Sequence, residues 1–535
     1  MGNPAVAGID HPDNVRFRQK HIAKFIGVGK TIAGGYMKIA RRSGYAAANQ
    51  ALLSANKRLK RGDLNLSWDD DQITPWCETK AKQCSKYVYQ YDERLAERRI
   101  RALLAVYDID FPDQSIDLFG IESAFQRCQD ERWWRRQVRR IQSREVDELA
   151  RAWRLVHEKG QVYCSDDTLE RRREQKTRNR KLLKQMQATN DIGQEYTLDE
   201  LSDMGVSNPD NKRAELMVRM RGFEELAQAT GKVGEFYTIT CPSKYHAVYK
   251  KSGIPNAKWN GSTVREAHSY LVHLWGLIRA DLHRNGITVF GFRVVEPHHD
   301  GCPHWHLLLF VEPEQRFTCR RIVKSYSERE DKAEIKKDGD RFKAIGIDPA
   351  KGTAAGYIAK YVSKNIDGYR LADDGLGKCA KSSAERIEAW AACHGIRQFQ
   401  QIGGASVTVW RELRRLRDRE CEGVMEKCRK AADAADWCAF NMLMGSGRYQ
   451  ALQVIRANQI DKETGELMRR TNRLANHYGE PVTGRIIGLI GHGCSVITRF
   501  WEWSIKHISK VLPDCRGVPK PGFNLYEPGF GISSA

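Results

Sequence analysis

Two short runs, Ile287–Val295 and His304–Val311, alternate side chains with the period of a strand, and a tight segment with Asp300-Gly301 at its tip joins them. A hairpin of this kind fixes which residues share a face. On the second strand His304 and His306 point one way and Trp305 the other. The turn Pro297–Pro303 returns the chain beside Glu296, which ends the first strand, so a carboxylate lies next to the histidine pair. Two imidazoles and one carboxylate leave coordination positions open, as a catalytic metal site requires and a structural one does not. The hard oxygen ligand favours Mg²⁺ or Mn²⁺ holding a phosphate oxygen.

Two other readings compete at this hairpin. A lone His-x-His on a strand is more often structural than catalytic. Alternatively Cys302, His304 and His306 share strand parity and, with His298 or Cys319 as fourth ligand, would hold zinc. That set ranks below Glu296, His304 and His306, because no second Cys/His pair lies at finger-like spacing.

About fifty residues on, Tyr357-Ile-Ala-Lys-Tyr361-Val-Ser-Lys364 lies in a segment, Thr353 to about Asn365, that reads as helix. Residues i and i+4 stack on one helical face, so Tyr357 and Tyr361 present their hydroxyls together. Lys360 and Lys364 overlap that face, where an ammonium would favour the phenolate over a phenol of ordinary pKa about 10. An isolated pair of tyrosines at this spacing is usually amphipathic packing. A metal clasp and paired tyrosines together are what an enzyme needs to cut and rejoin DNA without ATP.

At 535 residues the chain is long enough for two to four domains, and 41% hydrophobic residues supply their cores. Its formal net charge of +21 makes nucleic acid the default partner, although single basic runs often only solvate a helix. Fourteen cysteines without CxxC spacing read as reduced thiols of a cytoplasmic protein, and no run approaches a membrane span. Lys24-Phe-Ile-Gly-Val-Gly29-Lys30-Thr31 fails as a phosphate loop, since Lys24 stands where the first glycine belongs, and with it goes an intrinsic ATPase.

Residues 1–190 read as a basic, mainly helical region. Within it Trp133 and Trp134 lean towards a core position, and Arg171–Lys181 leans towards DNA contact. Residues 191–230 read as a linker and a lead-in helix, the whole of 187–212 being polar and turn-rich. The segment 231–370 interleaves strands (Glu235–Cys241 first) with helices, one opened by the capping box Thr263-Val-Arg-Glu266 and stopping near Asn285-Gly286. Residues 371–430 continue as helices over Glu385–Arg397 and Val409–Arg429. Residues 431–535 form a C-terminal region whose last twenty residues are a loose Pro/Gly-rich tail.

Three motifs together resemble the HUH endonucleases that initiate rolling-circle replication, and more closely the replication gene A proteins of tailed phages. They are Phe236-Tyr-Thr-Ile-Thr-Cys-Pro242, Pro303-His-Trp-His-Leu-Leu-Leu-Phe310 with Glu296 at the third-ligand position, and Tyr357–Lys364. The resemblance runs from about Leu216 to Arg415. It implies an α+β fold, with a central HUH nickase domain on a ferredoxin-like antiparallel sheet flanked by mainly helical basic regions. It further implies nicking and rejoining of single-stranded origin DNA through a 5′-phosphotyrosyl intermediate, with host replicative helicase and polymerase as partners. A non-catalytic zinc-stabilised DNA-binding regulator and a metal-dependent nuclease that uses water are the alternatives.

Overall fold

The hairpin becomes the middle of a five-stranded sheet in the computed structural model, which describes residues 8–508 except 9, 26, 114–119, 251–252, 349, 351, 370, 372, 374–376, 418, 446, 448, 460–473 and 492. The strands are β1 (Val233–Thr240), β2 (Phe290–Pro297), β3 (Pro303–Val311), β4 (Phe342–Gly346) and β5 (Phe399–Ile402). They lie in the order β4-β1-β3-β2-β5, and every neighbouring pair is antiparallel. Helix α1 (Val264–Arg284) joins β1 to β2, and α2 (Arg316–Ser327) joins β3 to β4. Helices α3 (Ala354–Ile366) and α4 (Ala380–His394) follow, before the chain returns as edge strand β5.

Local chemistry sets these boundaries. Thr263 and Glu266 form both halves of the capping box that opens α1, and Gly286 takes the left-handed conformation (φ 65°) just beyond its end. Thr353 caps α3 by accepting from the Gly356 N–H. On β2 a side chain is excluded at Gly291 (φ 151°), where a Cβ would sit 1.9 Å from the Leu308 carbonyl oxygen.

All eight residues of β2 are buried, and so are eight of the nine in β3, because both faces of the sheet are covered. Trp305, Leu307, Leu309 and Val311 face α1 and α2, meeting Leu274, Trp275, Ile278, Ile322 and Val323. Leu308 and Phe310, with Phe236 and Phe292, face α3 and the helix Pro209–Ala229, meeting Ile358, Val362, Met220 and Phe223. His304 and His306 share the parity of this second face, so the candidate ligands open towards the tyrosine helix.

The N-terminal region builds its own core from helices that include Gly29–Leu59, Asp70–Gln90 and Glu131–Ala152. Trp133 and Trp134, 4% and 0% exposed, belong to that core, and Trp134 donates to the Cys128 carbonyl at 2.7 Å. The basic run lies on the helix Asp166–Lys184, where Arg172 and Lys176 pair with Glu388, Arg173 with Glu385 and Arg180 with Asp203. With Arg178, which pairs with Glu174 of the same helix, five of its charges are engaged with carboxylates, two of them with Glu388 of α4.

Two element readings change. Residues 187–212 are more ordered than their polarity suggests, since Met186–Asn190 pairs with Glu195–Thr197 and with Trp503–His507 from the far end of the chain. Val409–Arg429 is two helices, Val407–Leu416 and Gly423–Asp433, broken where Arg417 adopts φ 50°. Residues 453–497 add a three-stranded sheet, and the tail 516–535 lies outside the described residues. No described helix is long and apolar enough to cross a membrane.

A buried polar network ties the N-terminal region to the turn between β2 and β3. Arg151, fully buried, donates to the carbonyls of Asp300 (2.9 Å), Tyr245 (3.2 Å) and Ser262 (3.3 Å), and pairs with Glu148 at 2.6 Å. Glu148 accepts in turn from the Val264 N–H that opens α1. Asp147 accepts from the Ser165 N–H, the Thr168 hydroxyl and His394 Nε2 (3.0 Å). Burial alone would raise the pKa of Asp147, but these partners bring it down to about 2. A carboxylate depressed in the folded chain stabilises it above its unfolded pKa of about 3.9 and loses that contribution as pH falls through the folded value. Asp147→Asn is therefore expected to cost about 2 kcal/mol at neutral pH and to flatten the loss of stability between about pH 4 and pH 2. Thermal melts of both chains across that range check it.

Candidate metal and tyrosine site

The strand register builds the site. Glu296 on β2 lies directly opposite His304 on β3, while His306 is flanked by Val294 on one side and Thr238 of β1 on the other. The Nε2 atoms of His304 and His306 approach to 3.0 Å, and each lies within 4 Å of Glu296 Oε2, at 3.9 and 3.8 Å. Among the described residues these three form the one group with three ligand atoms within 4.8 Å of each other.

The electrostatics suit a cation. Burial, the neighbouring imidazoles and Lys364 push His304 well below its ordinary pKa, and burial with Lys364 pushes His306 down to about 3, so both rings are neutral bases at physiological pH. Burial raises the pKa of Glu296 against the pull of Lys364 and Asn365. Thr238 Oγ1 lies 3.0 Å from His306 Nδ1; a proton on Nδ1 shared with that oxygen leaves the Nε2 lone pair for a ligand. Two neutral imidazoles and a buried carboxylate converging on one point fit a divalent cation.

Helix α3 brings the tyrosines to this face. The Tyr361 ring is half-buried, its centroid 4.0 Å from that of His306 and 5.3 Å from Phe236. Burial and the Glu296 carboxylate push its hydroxyl up to about 12. Tyr357, one turn earlier, is 39% exposed, with its ring 6.1 Å from Phe236. Lys360 is exposed on the same helix. Lys364 reaches Glu296 Oε2 at 3.2 Å and lies 5.5 Å from the Tyr163 ring, so the partner the structure gives its ammonium is the metal-site carboxylate.

The zinc set is not assembled. Cys302 precedes the first residue of β3 and belongs to the core on the opposite face of the sheet, so strand parity does not extend to it. His298 lies beside His304, ring centroids 4.1 Å apart.

Three residues at the site went unread in the sequence. Asn365 donates to Glu296 Oε1 and to the Tyr361 carbonyl (2.7 Å), and Gln398 Nε2 donates to Asn365 Oδ1 at 3.2 Å. Thr238 is the third. Asn365 was within reach, since it repeats the i+4 step from Tyr361; Thr238 and Gln398 come from strand pairing and a distant loop.

Metal that binds the folded chain stabilises it, by about 2.7 kcal/mol at a hundred times its Kd. Mn²⁺ is expected to raise the thermal midpoint of the native chain and to leave that of His304→Ala or His306→Ala where it is. Differential scanning calorimetry with and without Mn²⁺ gives the comparison, and equal shifts in all three chains would remove the metal from this site.

The model of the family "Bacteriophage replication gene A protein (GPA)" matches residues 35–369. The replication gene A protein of Escherichia phage 186 is 40% identical over 422 residues, 75% of this chain and 58% of that protein. The probable replication protein P12 of Pseudoalteromonas phage PM2 is 38% identical, covering 72% of this chain and 60% of that one. A probable replication endonuclease from a prophage-like region of Salmonella typhi is 37% identical over 53% of this chain and 36% of its own length. This chain thus spans about a third to three fifths of the relatives it matches. No solved structure matches it. With both site motifs inside the matched span, the chain belongs to the bacteriophage replication gene A protein family.

Proposed function

We propose that this chain is a rolling-circle replication initiator of the HUH type, a site-specific nickase and strand transferase acting on single-stranded origin DNA in the host cytoplasm. The observation that carries the reading is the half-buried Tyr361 ring packed 4.0 Å from His306, beside the three converging ligand atoms. The strand path β1-α1-β2-β3-α2-β4, with order β4-β1-β3-β2, supports a ferredoxin-like core. The relatives named as replication proteins and as a replication endonuclease support the biological role.

Glu296, His304 and His306 would hold Mg²⁺ or Mn²⁺, which when bound withdraws charge from the scissile phosphate. The chain's own residues do the rest. Tyr361 stands nearest the ligands and is the resident nucleophile; with its hydroxyl pushed up to about 12, it rests as a neutral phenol. Its oxygen forms a bond to phosphorus, the bond to the 3′ oxygen breaks, and the phenol proton ends on that leaving oxygen. The products are a 5′-phosphotyrosine and a 3′-hydroxyl fit to prime a host polymerase. Because the phosphotyrosine keeps the energy of the phosphodiester, rejoining needs no ATP. Tyr357, more exposed on the same helical face, takes the second cut when the origin is regenerated. Lys360, at the solvent side of α3, would meet the backbone of the bound strand. Strand separation falls to a host helicase.

Single-turnover incubation with labelled single-stranded DNA from its own gene and Mn²⁺ tests this. Tyr361→Phe is expected to slow the first covalent adduct by at least about a hundredfold, equivalent to about 2.7 kcal/mol, and Tyr357→Phe to leave it nearly unchanged. The double variant is expected to form none. An adduct in the double variant would refute the tyrosine chemistry, and cleavage without label on the protein would make water the nucleophile.

A further inference from the structure

We propose that Asn365 is a positioning residue that fixes the Glu296 carboxylate towards the metal and ties the nucleophile helix to it; the inference rests on the metal and tyrosine reading above. The geometry is specific. Asn365 is 1% exposed and makes three hydrogen bonds, one to β2, one within its own helix and one to the loop before β5. Its amide nitrogen donates to Glu296 Oε1 on β2 and to the Tyr361 carbonyl on α3, and its amide oxygen accepts from Gln398 just before β5. Both donors of the amide are thereby spent.

The division between the two carboxylate oxygens carries the argument. Asn365 holds Oε1, and it is Oε2 that lies 3.9 and 3.8 Å from the two imidazole nitrogens. A neutral donor on Oε1 adds no charge of its own, and it fixes the carboxylate plane so that Oε2, which Lys364 also meets at 3.2 Å, stays aimed at the ligand point. Gln398 fixes which way the Asn365 amide faces: by donating to Oδ1 it keeps the NH₂ end on Glu296. The bond to the Tyr361 carbonyl, within one helical turn, makes the same amide the link between ligand and nucleophile, so the tyrosine cannot move along the sheet without disturbing the carboxylate. A purely structural role, satisfying a buried acid at the end of a helix, would affect stability and leave metal affinity alone.

The test uses the full chain as Asn365→Leu, which keeps approximate size and removes both donors, and Gln398→Leu, which leaves every direct contact of Glu296 in place. Mn²⁺ affinity is read by electron paramagnetic resonance, together with the thermal midpoint without metal and single-turnover adduct formation at saturating Mn²⁺. Support is a loss of Mn²⁺ affinity of about 10- to 100-fold in Asn365→Leu, a smaller loss in Gln398→Leu, and adduct formation that stays slow when metal is saturating. If Asn365→Leu fails to fold, Gln398→Leu decides by the same readouts. Affinity within about twofold of the native chain in the variant that folds overturns the proposal, even if its midpoint drops. A native chain that binds no Mn²⁺ overturns the metal reading and this inference with it, whereas native Mn²⁺ affinity in the variants overturns this inference alone.

Discussion

A carboxylate that is 1% exposed cannot keep its charge in a protein interior unless something answers it, and Glu296 sets that demand at the centre of this molecule. The ammonium of Lys364, the amide of Asn365 and two imidazoles all turn towards it. The surrounding structure follows from holding those groups there. The paired β2–β3 register sets Glu296 across from His304, the length of α3 sets Lys364 and Asn365 over the same point, and β5 brings Gln398 behind them. A one-residue slip of β3 would turn both histidines into the opposite core and bring Trp305 to the carboxylate.

The hairpin that carries these ligands is held from behind by groups distant in sequence. Arg151 donates to the Asp300 carbonyl in the turn, while the Asp300 carboxylate accepts from the N–H groups of Ala247 and Cys302. Trp390 of α4 donates to the Gly301 carbonyl at 2.9 Å. Because Arg151 and Glu148 belong to the helix Glu131–Ala152, the N-terminal region is part of the support of the hairpin that carries the candidate ligands. The family match beginning at residue 35 agrees with that continuity.

The positive charge is distributed less simply than a net figure suggests. Arg172, Arg173, Lys176 and Arg180 face carboxylates of α4 and of the segment after Glu195–Thr197. A run that looks free in one dimension is thus matched in three by acids up to about two hundred residues away. Trp133 and Trp134 make the opposite point: their arginine-rich surroundings suggest stacking on bases, yet the helical period places both rings in a core with Trp76.

What the sequence determined by itself were the features governed by short-range periodicity. Strand alternation put His304 and His306 on one face, the i+4 step put Tyr357 and Tyr361 on one side of a helix, and the capping box at Thr263 opened α1 where Glu266 closes it. These depend only on backbone repeats of two and 3.6 residues, which a local pattern records. Tertiary structure alone decided which long-range partner each group would meet. Lys364 reads from its helix as a neighbour of the tyrosines, but packing delivers it to Glu296. Cys302 reads as a strand residue beside His304, but β3 begins one residue later and the thiol enters the other core. Thr238 and Gln398 reach the site, and Arg151 the turn behind it, only through strand order and the packing of segments distant in the chain. A local repeat fixes the direction of a side chain; the partner it finds depends on where the rest of the chain has packed.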